Sequence, residues 1–322
     1  MKYTFKIKNK WDNTEYDITP DNKNKISIDL NIIDLEYHSL IEKILKEGIW
    51  KENRTGVKTL SIFGPQIVFK NVGKNFPLIT TKKVHLKSII GELLWFLSGS
   101  TNTHELRDKY GVTIWDEWGD DETGELGPVY GHQWVNWTYW KYDPIGYKPH
   151  LISGHLKENS INQLQNIIDT LKTNPDDRRM IVSAWNVAEI DQMALPPCHW
   201  SYQFYSVKYP NEEKRRLNLL WNQRSVDVGL GLPFNIASYA LLLIMIAQQV
   251  DMIPGDIIGN LGDTHIYENH INKLLKQLSR DSKGNIPKMI IKKQKDLWSY
   301  APEHFSIKNY NPHPNIKMPV AI

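Results

Sequence analysis

Two alternating runs, WSYQFYSVK over 200–208 and RLNLLWNQRS over 216–225, constrain this chain more than any other feature. Apolar and polar residues in alternation mark strands with one buried face. Between them, Tyr209-Pro210-Asn211-Glu212-Glu213-Lys214 reads as a turn, so the runs predict an antiparallel hairpin. A turn centred on Asn211 and Glu212 sets Cys198 opposite Ser225, give or take about two residues of register. Arg224 and Ser225 then lie beside Cys198 and His199. Cys198 is the only cysteine of the 322 residues. In one reading a lone cysteine is a small buried hydrophobe. In the other it is a nucleophile: two prolines fix the backbone before it, and a guanidinium beside it stabilises the thiolate. A free thiol of pKa ~8.5 barely populates that form at neutral pH.

Composition narrows the classes. A net charge of +3 gives no bulk electrostatic reason to expect DNA as a partner. One cysteine excludes an intrachain disulfide and a Cys-based zinc site, and fits a reducing, cytoplasmic setting. No metal-ligand spacing, P-loop or dinucleotide fingerprint appears, and MKYTFKIKNKWDNTEYD lacks the apolar core of a signal peptide. The apolar stretch Ile236–Val250 includes Ser238, Tyr239, Gln248 and Gln249, and falls short of the ~20 apolar residues of a span. It is expected to be a buried helix, with no membrane partner.

Residues 1–33 read as an extension of unknown role, with a short strand at Tyr3, Phe5 and Ile7 and a solvated loop at Asp21–Lys25. A helix is expected over 36–47, ending at Gly48, then strands in LSIFG and IVFK. Arg54, on the Asn53–Gly56 turn, is either a solvated arginine or an anion contact. Over His85–Ser98, Leu86, Ile89, Ile90, Leu93 and Leu97 share a helical face. Glu92 lies in that helix, which is apolar nearly all round, so its carboxyl is either paired, with Ser88 or a distant cation, or a general acid or base of raised pKa. Residues 111–134 look loop-rich, and 135–159 looks like an inserted loop. Ser160–Gln163 has the form of a capping box for a helix ending before Asn174-Pro175. MIVSAW (180–185) reads as a strand, Ile271–Leu278 as a basic helix, and Lys214-Arg215-Arg216 as a solvated patch. Asn235 opens the buried helix as a cap or faces a ligand.

From about residue 34 to Ile322 the chain resembles thymidylate synthase. The resemblance rests on NRTG, GELLWFL, TIWDEW, LGPVYG, DDRR, PPCH, QRSVD, GLGLPFNIASYA, GDTHIYENH and the terminal PVAI, in that order. It implies one α/β domain over 34–322, with a large mixed β-sheet packed against helices and serving as the interface of a homodimer. The implied reaction converts deoxyuridylate (dUMP) to thymidylate, with 5,10-methylenetetrahydrofolate giving the carbon and the hydride and no metal involved. Cys198 would attack C6 of the base. Arg224 would hold the phosphate and lower the thiol pKa, with Arg54 and Ser225 as further phosphate contacts and Arg178 and Arg179 reaching the neighbouring subunit's phosphate. Asn235 would read the pyrimidine, while His265 and Tyr267 would hold the ribose. Glu92, Tyr130 and His199 would order water for proton transfer. Asp227, Ile114, Trp115, Trp118, Leu230, Gly231 and Phe234 would form the folate pocket, closed by Ile322.

Asn222 stands where the family usually has tyrosine, and Gly91 where bulkier residues are common. A close alternative is a dUMP hydroxymethylase of the same family, in which water captures the exocyclic methylene. Remoter ones are a non-catalytic RNA-binding protein and a cysteine hydrolase. The last is disfavoured because His199, adjacent on a strand, faces away from Cys198.

Overall fold

The computed structural model describes residues 5–20, 28–144 and 154–320. The expected loop at Asp21–Lys25, Tyr3 and Ile322 lie outside them. Strands β1 (Phe5–Lys8) and β2 (Glu15–Ile18) form an antiparallel hairpin. It is sewn onto helix α1 (Ile32–Glu47): the Asn9 amide donates to the carbonyls of Leu45 and Gly48 at 3.0 Å. Asn31 caps α1, its side chain accepting from the amides of Ile33 and Asp34.

Asp34 is fully buried and accepts from the Thr80 amide (2.8 Å), the Thr80 hydroxyl (2.6 Å) and the Ser282 hydroxyl (2.7 Å). One carboxylate thus joins α1 to two distant loops. Asp34→Ala strands these donors, at about 1–3 kcal/mol for each one left unpaired. A loss of about 3–5 kcal/mol is expected, read as a lower urea midpoint.

The main sheet runs β3–β4–β11–β10–β9–β8, with β5 also paired to β11. Its strands are β3 (Ile49–Lys51), β4 (Thr59–Phe63), β5 (Gln66–Phe69), β8 (Ile181–Ser183), β9 (His199–Val207), β10 (Arg216–Asp227) and β11 (Ile253–Tyr267). The expected hairpin is β9–β10, antiparallel, whereas β10 and β11 are parallel, so the sheet is mixed. On its outer face a side-chain ladder crosses four strands. Gln66 donates to Asn260, Asn260 to Asn222 and Asn222 to Ser201, at 3.0–3.1 Å. Asn222 is thus a rung of that ladder.

Against the other face packs α6 (Gly231–Gln249), which joins β10 to β11. By length and composition α6 could cross a membrane, yet it lies mostly buried inside the molecule. Beside it runs α2 (Leu86–Ser98), where a Cβ on Gly91 would come within 2.8 Å of Tyr110 Cβ and 2.9 Å of Val112. That close approach explains the missing side chain. Helix α3 (Thr103–Tyr110) follows, then α4 (Tyr130–Val135), a short helix that the loop-rich reading of 111–134 misses.

The expected insert is an antiparallel hairpin, β6 (Trp137–Pro144) with β7 (Gly154–Ile161). Ser160 lies in β7, so it does not cap α5 (Gln163–Thr173). The cap is Asn162, which accepts from the Gln165 amide at 2.9 Å. The chain closes with α7 (Ile271–Leu278) and the pair β12 (Lys288–Ile291) and β13 (Phe305–Lys308). The Lys214–Arg216 patch is not merely solvated. Its cations pair with Asp251, Asp176 and Glu212 respectively, because the turn and the segments leading into β11 and β8 bring these carboxylates to the start of β10.

Candidate active site

β9 and β10 keep the register expected for a turn centred on Asn211 and Glu212 as far as Asn222↔Ser201. There Trp200 is left over and His199 pairs with Gln223. The bulge moves the expected Cys198–Ser225 pairing by one residue: the Arg224 amide donates to the Cys198 carbonyl at 2.8 Å. It also changes faces. His199 and Tyr202, three residues apart, both point into the core, where each meets the rings of Trp134 and Tyr239. A regular strand would place them on opposite faces. Cys198 is thereby released from the core side and stands half-buried at the strand end.

Its backbone is held from both sides, because the Cys198 amide donates to the Tyr130 hydroxyl at 2.7 Å. The Tyr130 ring stacks on His199 at 4.2 Å and 23°. His199 Nδ1 meets the Tyr239 hydroxyl at 2.8 Å, and burial lowers the imidazole pKa to about 3, so it is neutral in any ordinary buffer.

Arg224 Nε donates to the Pro197 carbonyl (2.9 Å) and Nη2 to that of Pro196 (2.8 Å). Its guanidinium lies 5.5 Å from the centre of the Trp185 ring. The proline pair therefore aims the arginine as well as the cysteine. The expectation of a lowered thiol pKa is corrected. Burial pushes the Cys198 thiol above its usual value; Arg224 and then Arg54 pull it back only in part, and Asp227 adds to the rise. Arg54 is thus an electrostatic neighbour of the thiol, as it is of Tyr267.

Parallel pairing of β10 with β11 sets Ser225 beside Asp263 and Asp227 beside His265. The rings of His265 and Tyr267 lie 5.1 Å apart. Asp263, held by His265 and by Lys51 at 2.5 Å, stays well below the usual carboxylate range. Asp227 Oδ1 accepts from the amides of Gly229 (2.9 Å) and Leu230 (3.2 Å). Asn235 does not cap α6, since the helix already begins at Gly231. Its Oδ1 accepts from Gln223 Nε2 at 3.1 Å, which fixes the amide's orientation. Leu230, Gly231 and Phe234, which precede it in the chain, are half-buried, and Ile114 is 38% exposed.

Glu92 is buried, and its partner is the Trp115 indole N–H at 2.7 Å, not Ser88, whose hydroxyl engages His85. Burial raises the Glu92 carboxyl from the ordinary 4.5 to about 7, with the indole opposing. The sign follows: with a raised native pKa, Glu92 binds its proton more tightly when folded. Its contribution to stability is present below pH ~4.5 and falls by about 3 kcal/mol as pH rises to ~7, at about 1.4 kcal/mol per pH unit. Glu92→Gln should therefore gain stability over the parent between pH 5 and 7.5. Urea midpoints at both values check this; equal differences would mean that the group does not titrate there.

Arg178 and Arg179 are not brought to the same chain's cysteine. The Arg178 carbonyl accepts from Gln203, five residues along β9 from Cys198, or about 16 Å of strand. Arg179 is exposed and paired with Asp177. Three further groups had escaped the sequence reading. Gln223 orients Asn235, Trp185 lies beside Arg224, and Lys82 is buried, with Nζ donating to the Gly229 carbonyl. Burial lowers Lys82 to about 8 against the pull of Asp227.

A cysteine at a strand end, with guanidinium groups nearby, an oriented amide and a buried carboxyl titrating near neutrality, has the parts required for nucleophilic catalysis on an anionic ligand. The family profile described as thymidylate synthase matches residues 35–322, and the chain belongs to that family.

Proposed function

We propose that this protein is a thymidylate synthase acting on dUMP, working as a homodimer in the cytoplasm. The observation that carries this reading is the joint fixing of Cys198: its amide is on Tyr130, its carbonyl on the Arg224 amide, and the Arg224 guanidinium is aimed by Pro196 and Pro197. Arg224, Arg54 and Ser225 bind the phosphate by charge-assisted hydrogen bonds. His265 and Tyr267 hold the ribose. Asn235 donates from Nδ2 to O4 and accepts N3–H on Oδ1, which also takes the Gln223 amide. Cys198 Sγ adds to C6. Because burial keeps the thiol protonated, its proton passes to water as the S–C bond forms, and Arg224 stabilises the partial negative charge on sulfur along the way. The electron pair released to C5 and O4 makes C5 nucleophilic. Glu92, poised near neutrality, trades protons with water there, and neutral His199 keeps the adjoining wall uncharged.

The folate co-substrate supplies the one-carbon unit and the hydride. Asp227 suits it: Oδ1 is taken by loop amides, which leaves Oδ2 to accept a pterin N–H, while Trp118, Leu230 and Phe234 supply apolar surface packed against the core. Incubation with dUMP and methylenetetrahydrofolate, followed by mass analysis, tests the reading. A methyl product supports it; a hydroxymethyl product makes the protein the hydroxymethylase, and unchanged dUMP overturns both.

Base choice tests Asn235. A protonated aspartate can donate to cytosine N3 and accept from its amino group. Asn235→Asp is expected to move the dUMP/dCMP ratio of kcat/KM toward dCMP by about one to two decades, the worth of one unpaired buried group. An unchanged ratio would leave Asn235 a structural residue.

A further inference from the structure

We infer that His270 is a positioning residue that couples docking of the C-terminal segment to Asp227. The inference rests on the folate role proposed for Asp227. His270 is fully buried. Its Nε2 lies 2.7 Å from the Pro319 carbonyl. A carbonyl only accepts, so Nε2 carries the proton in the neutral ring. Nδ1 is buried, has no hydrogen-bond partner among the described residues and lies 3.8 Å from Asp227 Oδ1. The ring also meets Tyr267 edge-on at 5.5 Å.

Gly229 closes the arrangement. A Cβ there would stand 2.7 Å from His270 Nδ1, 2.9 Å from Met318 Sδ and 3.4 Å from Asp227 Oδ1. The segment, the imidazole and the carboxylate thus converge on one point that only glycine leaves open. Lys273 Nζ adds a contact to the Lys317 carbonyl at 2.6 Å, and Met318 is buried, so the segment is seated through Pro319.

The arrangement is electrostatically unequal at its two ends. Nε2–H to Pro319 is a good hydrogen bond, while the Nδ1 lone pair faces a carboxylate oxygen. When Asp227 spends its charge on a folate N–H, that repulsion weakens and the Nε2 bond strengthens. Folate then tightens the seat of the segment, and by linkage the seated segment tightens folate.

Two substitutions separate the ends. His270→Gln places its amide nitrogen where Nε2 was and keeps the donor to Pro319. His270→Asn places it near Nδ1, removes the donor to Pro319 and turns a new donor toward Asp227. Hydrogen exchange of the Ile316–Val320 segment is followed with and without methylenetetrahydrofolate in the dUMP complex, beside KM for folate and kcat. The parent should gain protection on adding folate. His270→Asn should lose protection in both states and raise the folate KM at least tenfold, with dUMP affinity unchanged. His270→Gln should keep basal protection and lose the folate-dependent gain. If both variants keep the parental gain and KM, His270 only fills space and the inference falls. Should they fail to fold, Gly229→Ala drives a methyl into the same point and must uncouple the segment from folate in the same way. Parent protein that makes hydroxymethyl product while folate still protects the segment overturns the synthase reading and leaves this inference standing.

Discussion

Cys198→Ala is expected to lower turnover of dUMP by at least about four decades, the scale on which enzymes lose activity when a covalent nucleophile is removed. dUMP affinity should change little, because the proposed holds on the phosphate and the base, Arg224, Arg54 and Asn235, are untouched. The complementary experiment traps the parent protein. With 5-fluoro-dUMP and methylenetetrahydrofolate, fluorine blocks proton loss at C5, and the adduct should persist on Cys198. Intact mass should rise by the nucleotide plus the folate. Unmodified parent protein, or near-parental turnover in the alanine variant, would remove covalent catalysis from the account.

The second large effect concerns the subunit boundary. Arg179 lies far along the sheet from its own chain's Cys198, so its proposed phosphate belongs to a second copy. Arg179→Glu and Cys198→Ala should each be nearly inactive alone. After subunit exchange, half the dimers are mixed, and each mixed dimer holds one site with both defects and one with neither. Activity should return to about a quarter of the parental value. No return in subunits shown to exchange would place Arg179 outside the site.

Much of this was legible beforehand because periodicity is local. The β9–β10 hairpin, the buried α6 and the largely apolar α2 follow from apolar spacing, and the hairpin brought Arg224 to Cys198. What stayed hidden is non-local. Trp115 reaches Glu92 from 23 residues away, and only folding reveals that this indole, and not Ser88, satisfies the carboxyl. The net effect of burial on Cys198 outweighs the nearby arginines, a balance of two environments that spacing cannot weigh. The basic patch looked solvated because its acidic partners arrive from other elements. His270 and Lys82 carry no local mark distinguishing a buried cation or imidazole from a surface one. Trp200 left no trace either, since an extra residue in one strand looks like any other position until its partner strand is present.

That single extra residue bears on which changes in chain length this protein can tolerate. In the turn at 209–214, an added or lost residue can be absorbed by the loop, since register is held by side-chain packing along both strands. At Trp200 the parity of the chain decides which side chain meets solvent. A regular strand that kept Trp200 would swing Cys198 inward and turn His199 out of its aromatic stack, whereas deleting the extra residue leaves His199 and Tyr202 two apart and on the same face. Substitutions at this position, and even its deletion, keep the two faces of the strand, whereas ironing the bulge flat around a retained residue exchanges inside for outside at Cys198 and His199.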